Sequence, residues 1–165
     1  RAARALSKRV LAPGRMRLLY GINGARIIDD TYNSSPVAVA EALSALFNLQ
    51  TTGRRIAVLG DMLELGDLSK TEHQKMVEEA VRIADAVWLV GERATGTGIA
   101  SQKIRAFTDS RAAGEALRAE LRAGDVVLIK GSQGMRMERA VERVLAEPSR
   151  ASELLVRQEK EWRNR

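Results

Sequence analysis

Two hydrophobic rhythms alternate along the chain, short apolar runs and longer stretches of helical period. Met16–Tyr20 and Arg26–Asp30 read as strands joined by Gly21-Ile22-Asn23-Gly24. An Asn-Gly turn between β-type runs signals a hairpin. Arg55–Gly60, Ala86–Val90, Ile104–Phe107 and Asp125–Lys130 are bounded apolar runs of the kind that buried parallel strands show. Between them, Val37–Leu49 sets Val39, Ala42, Leu43, Leu46 and Phe47 at helical spacing, with Ser35 as N-cap and Pro36 at the first position. Ser69-Lys70-Thr71-Glu72 reads as a capping box for a helix reaching about Ala84. Asp109–Leu121 turns Ala113, Ala116, Leu117 and Leu121 inward, and Met135–Leu145 reads as a helix. Ala2–Val10 reads as a helical lead broken by Pro13-Gly14. The tail from Ser152, with Leu154-Leu155-Val156 and Trp162, reads as a helix that packs back, and Thr95–Gly98 as a flexible loop.

Strand and helix in alternation predict an α/β domain, a Rossmann-like three-layer fold with a mostly parallel sheet and an N-terminal β-hairpin. Such sheets bind ligands at the carboxyl ends of their strands. Those ends here are Asp29–Asn33, Gly60-Asp61-Met62, Gly91-Glu92 and Lys130-Gly131-Ser132.

Composition narrows the chemistry. The 165 residues suit one domain with a real apolar core. The absence of Cys excludes disulfide scaffolds, thiolate zinc sites and cysteine nucleophiles, and a single His argues against a His-rich metal site. No apolar run reaches the ~20 residues of a membrane helix. The net charge of +6, with 21 Arg among 27 basic residues, favours anionic partners. Two Phe, two Tyr and two Trp, unclustered, are thin material for stacking bases, so no nucleic-acid partner is expected. The start at Arg1 without Met is read as that of a fragment or processed product.

Three strand ends carry candidate chemistry. In Asp29–Pro36, carboxylates can accept from sugar hydroxyls, while Tyr32 and Asn33 offer a flat face and an amide. The same residues also make a polar turn before a capped helix. In Gly60–Gly66, Asp61 and Glu64 could serve a metal or general-base step, or the segment could be a loop shaped by its glycines and packed by Leu63 and Leu65. His73 follows, early in a helix. In Lys130–Gly134, small residues could offer backbone N–H groups to an anion, or form a tight turn. There is no P-loop, no dinucleotide fingerprint and no serine elbow.

Taken together, Asp30-Thr31-Tyr32-Asn33-Ser34-Ser35-Pro36, Leu59-Gly60-Asp61-Met62-Leu63-Glu64-Leu65-Gly66 with His73, and Lys130-Gly131-Ser132 with Met137-Glu138 resemble the C-terminal domain of the Mur ligases. The resemblance covers nearly the whole chain. It implies that residues 1–14 link to a missing central ATPase domain and that 15–165 form the lid of a cytoplasmic, three-domain, ATP-dependent ligase. ATP and Mg²⁺ would bind mainly on the central domain, which would supply the missing P-loop. The wording points to the branch that adds D-alanyl-D-alanine to UDP-N-acetylmuramoyl-tripeptide through an acyl phosphate. By the resemblance, Arg15, Asp30, Tyr32 and Asn33 face the nucleotide. Lys130, Ser132 and Arg136 face the amino substrate, with Arg136 standing in for the arginine the family often has where this chain has Gln133. Asp61, Glu64 and His73 match motif positions without an assigned role. The domain's partners would be its own N-terminal and central domains, and the fragment alone would be inactive. A stand-alone nucleotide- or peptide-binding module is the competing expectation.

Overall fold

A computed structural model describes residues 11–165, so the helical lead expected at Ala2–Val10 lies outside the described residues. Six strands form one sheet, β1 (Arg17–Tyr20), β2 (Arg26–Asp30), β3 (Arg55–Gly60), β4 (Ala86–Val90), β5 (Ile104–Phe107) and β6 (Val126–Lys130). Their order is β1-β2-β6-β3-β4-β5. Only the β1–β2 hairpin pair is antiparallel. The last strand in sequence thus fills the centre, pairing Asp30 with Lys130 on one side and Leu59 with Lys130 on the other.

Alternation along the strands splits the core in two. Val126 and Leu128 face a layer built by α1 (Pro36–Asn48) and α2 (Ser69–Ile83), with Val39, Leu43, Leu46 and Val77 buried there. Val127 and Ile129 face α4 (Ser110–Glu120) and α5 (Glu138–Val144), with Leu117, Val141, Leu154 and Leu155. Each central strand is covered on both sides, which explains its unbroken apolar run. Helices on both faces make the expected three layers.

Local expectations hold unevenly. Ser35 Oγ accepts from Ala38 N–H at 3.3 Å, with Pro36 opening the helix. Asp109 caps α4 likewise, through Ala112 N–H at 2.9 Å. The capping box at Ser69–Glu72 does not form. Ser69 already lies inside α2, after a 3₁₀ turn at Gly66–Leu68, and its hydroxyl lies beside His73. Phe47, expected inward, sits on the shoulder of α1 and is 59% exposed. The helix expected over Met135–Leu145 shortens to α5, because Gln133–Met135 makes a 3₁₀ turn and Arg136 is left-handed (φ 52). The expected tail helix splits into two single turns, α6 (Ala151–Leu154) and α7 (Lys160–Arg163). One short helix, α3 (Glu92–Thr95), occupies part of what reads as a loop.

Candidate functional site

The carboxyl ends of β2, β6 and β3 meet where the crossover helices diverge to opposite faces, the place where open α/β sheets bind ligands. The loop after β2 is fixed there through its backbone. Arg157 donates to the carbonyls of Thr31 and Tyr32, and Lys130 Nζ donates to the carbonyl of Asn33 at 2.9 Å. Tyr32 N–H donates to Gly14 O at 2.9 Å. With the main chain held, the side chains of Tyr32 and Asn33 project to solvent, Tyr32 at 43% exposure. The Arg15 guanidinium lies 4.0 Å from the Tyr32 ring centroid, a cation–π contact at an exposed position. Arg15, Tyr32 and Asn33 are thus all exposed on this side of the domain.

Asp30 sits beneath this surface. One carboxylate oxygen accepts from Met16 N–H at 3.1 Å and the other from Lys130 Nζ at 2.7 Å. A carboxylate has about four lone-pair sites, so acceptor capacity remains for a ligand hydroxyl. Its neighbour Asp29 is fully buried, taking Thr31 Oγ1–H at 2.7 Å and Gly14 N–H at 3.1 Å. Burial pushes Asp29 up to about 6, against the lowering effect of those two donors. Gly14 needs its left-handed φ of 70 here, and a Cβ would stand 2.9 Å from the amide of Tyr32.

The Gly60–Gly66 segment turns Asp61 inward. Asp61 accepts from the N–H groups of Ala94 (2.8 Å) and Arg93 (3.3 Å), capping α3 across the gap between β3 and β4. Gly91, at φ 98, lets that carboxylate approach, since a Cβ would lie 2.7 Å from it. His73 Nε2 accepts from Met62 N–H at 2.9 Å, while Nδ1 meets the carbonyl of Ser69 at 2.7 Å. Those partners assign the proton to Nδ1. Glu64 is exposed and left-handed (φ 67). Among the described residues no group of three or more potential metal ligands gathers. In this arrangement Asp61 and His73 direct their hydrogen bonds to the backbone that holds the loop.

The end of β6 also differs from the anion cradle considered above. Ser132 N–H donates to Asp61 O at 3.0 Å, and Ser132 Oγ accepts from Leu63 N–H at 2.8 Å. Lys130 is 1% exposed and spent on Asp30 and Asn33. Arg136 pairs with Glu138 at 2.6 Å and donates to Trp162 O at 2.9 Å. Lys130, Ser132 and Arg136, expected to face the amino substrate, thus direct their polar atoms into the domain. Their geometry is that of positioning residues. A cluster absent from the sequence reading completes the picture: Glu138, 1% exposed, bridges Arg136 and Arg157. No spacing signal links Arg157 to Thr31, 126 residues away.

Ser34 Oγ, beside Asn33, is buried without a hydrogen-bond partner among the described residues, an unsatisfied group that a polar ligand or ordered water would complete.

Sheet order and the helices on both faces together define a domain of the doubly wound α/β class. The chain belongs to the Mur ligase family, since the sequence profile of the Mur ligase glutamate ligase domain matches residues 14–133. The UDP-N-acetylmuramoyl-tripeptide–D-alanyl-D-alanine ligase of Bacillus subtilis is 32% identical over 157 residues, covering 89% of this chain. That of Mycobacterium leprae is 35% identical over 143 residues, covering 73% of this chain. The MurF ligase of Thermotoga maritima, solved in complex with ADP, superposes with a TM-score of 0.70 at 33% identity, covering 86% of this chain and 35% of its own. The chain spans about a third of the length of the curated relatives it matches, 34% for the Bacillus enzyme.

Proposed function

We propose that this chain is the C-terminal, lid-forming part of an ATP-dependent ligase that joins D-alanyl-D-alanine to UDP-N-acetylmuramoyl-tripeptide in the cytoplasm. The observation that carries the reading is the Thr31–Asn33 loop, whose pinned backbone frees Tyr32 and Asn33 beside Arg15. The names of its relatives supply the substrates. Arg15 reaches the phosphates, Asp30 offers its remaining acceptor sites to the ribose, and Tyr32 and Asn33 meet the nucleotide from the same side. Lys130, Ser132 and Arg136 hold the β6 turn against the nucleotide loop on the side of the incoming amine. Residues 1–14 join the lid to a central domain carrying the P-loop and Mg²⁺.

In the reaction the tripeptide carboxylate takes the γ-phosphoryl group and ADP leaves. The dipeptide amine then displaces phosphate and forms the amide. The lid excludes water from the activated carboxyl and holds the amine against it. Arg15 couples nucleotide contact to lid position, as hinge residues do.

The test uses the longer protein that contains this chain. ADP release should require both UDP-N-acetylmuramoyl-tripeptide and D-alanyl-D-alanine, and Arg15→Ala or Asn33→Ala should lower kcat/KM by about tenfold to a hundredfold. The isolated 165-residue chain should bind ATP weakly and turn nothing over. Tight ATP binding by the isolated chain, with no ligation by the longer protein, would sink the reading in favour of a stand-alone binding module.

A further inference from the structure

Helices α4 and α5 lie side by side on one face of the sheet, and the tail passes beside them. Between them opens a cavity of about 450 Å³. Arg111 and Arg118 line it from α4, Arg139 and Arg143 from α5, and Arg157 and Arg163 from the tail. Arg136 closes one end. Only two acids, Glu138 and Glu142, share the lining, and Glu138 is already held by Arg136 and Arg157. Arg143 has a partner in Glu115, at the exposed rim.

Three observations show that this is more than scattered surface charge. Arg157 is 7% exposed, yet its Nε is buried without a hydrogen-bond partner among the described residues. Arg136 and Arg157 both stand in the left-handed region, at φ 52 and 54, to reach one carboxylate. Side chains held by such backbone are over-determined by their surroundings. Finally, burial, followed by the charges of Arg136 and Arg111, holds the Arg139 guanidinium below its ordinary value. Cations drawn together against that repulsion are stabilised by an anion between them. Guanidinium forks match tetrahedral phosphate oxygens in paired hydrogen bonds.

We infer that this cavity binds a compact, multivalent phosphate anion of the pyrophosphate class, at a site separate from the Arg15–Tyr32–Asn33 surface. Arg157 lies between the two. It lines the cavity, and its guanidinium donates to the Thr31 and Tyr32 carbonyls. An anion in the cavity therefore acts on the arginine that anchors the nucleotide-side loop.

The probe is pyrophosphate, titrated into the 165-residue chain at low salt by calorimetry. Both apolar layers and all six strands lie within this chain, which therefore carries its own core. The expected result is saturable one-to-one binding that weakens as salt rises. Arg118→Ala with Arg139→Ala should weaken it by at least about tenfold. Arg111→Ala with Arg163→Ala, at exposed positions of the lining, should also weaken binding while leaving the melting curve unmoved. Arg15→Ala with Asn33→Ala should leave pyrophosphate affinity unchanged. The inference is overturned by the absence of saturable binding or by loss in the Arg15/Asn33 variant alone. It is overturned equally if Arg82→Ala with Arg105→Ala, away from the cavity, weakens binding as much.

Discussion

Two loops leave strands that flank β6, and they use their polar residues in opposite ways. The Asp30–Ser35 loop ties down the carbonyls of Thr31, Tyr32 and Asn33 and leaves the side chains of Tyr32 and Asn33 exposed. The Gly60–Gly66 loop spends Asp61 on α3 and receives His73 on its own backbone. The first presents side chains outward, where the proposed nucleotide contact would fall, and the second holds the domain's edge in shape. Residue type alone does not separate them, since both are rich in acids and glycine or serine. What separates them is where the hydrogen bonds go.

The sharpest way to break the comparison is to release the anchors of the first loop. Glu138→Ala leaves Arg136 and Arg157 buried without their shared carboxylate, and unfolding in urea should show a loss of about 3–5 kcal/mol. Faster amide exchange should appear in residues 31–33. A loss below about 1 kcal/mol would mean that the anchor is incidental.

Asp29 gives a pH-dependent version of the same test. Its folded value, about 6, exceeds the ordinary 3.8, so the native state holds this proton more tightly than the unfolded chain. Its contribution to stability is complete below 3.8 and is lost as pH rises through about 6. The two-unit difference corresponds to about 3 kcal/mol. Asp29→Asn should therefore gain on the parent chain between about pH 4 and about pH 7, read as the difference between two urea midpoints. Parallel pH curves would show that Asp29 is not buried as described.

In the second loop, His73→Phe keeps the ring but strands Met62 N–H, and should cost about 1–3 kcal/mol. Activity in the longer protein should fall only as far as stability does. A full loss of turnover with an unchanged melting curve would move His73 from support to chemistry. The smallest effect belongs to Arg15→Ala. Its exposed contact with Tyr32 contributes no more than about 1 kcal/mol to stability, while nucleotide affinity of the longer protein should drop clearly.

Much of this was legible in the chain. β3 and β4 begin and end where their apolar runs do, because strands covered on both faces leave no polar alternation to blur. Ser35-Pro36 marks the start of α1 for a purely local reason, a hydroxyl three residues from an unpaired N–H. The left-handed turn at Arg136 was not legible, since nothing in Gly-Met-Arg-Met-Glu signals that Arg136 and Arg157 converge on Glu138. The inward path of Lys130 was hidden for a related reason. A lysine at a strand end reads as exposed until its partner, 100 residues earlier, comes to lie beside it. Nor does the sequence separate the capping role of Asp61 from a catalytic one, because a carboxylate that accepts two backbone N–H groups is spelled the same way as a free one.

The place of β6 in the sheet has a consequence for how the protein comes into being. β2 and β3 are translated before β6 but touch that strand rather than each other. Until residue 130 has left the ribosome, the two halves of the sheet have no common edge. The nascent chain must wait with its hairpin and its β3–β5 segment separate, each showing an unpaired strand border, and such borders invite pairing with other chains. Arg157 emerges later still, so the loop it anchors acquires its working shape only after β6 is in place.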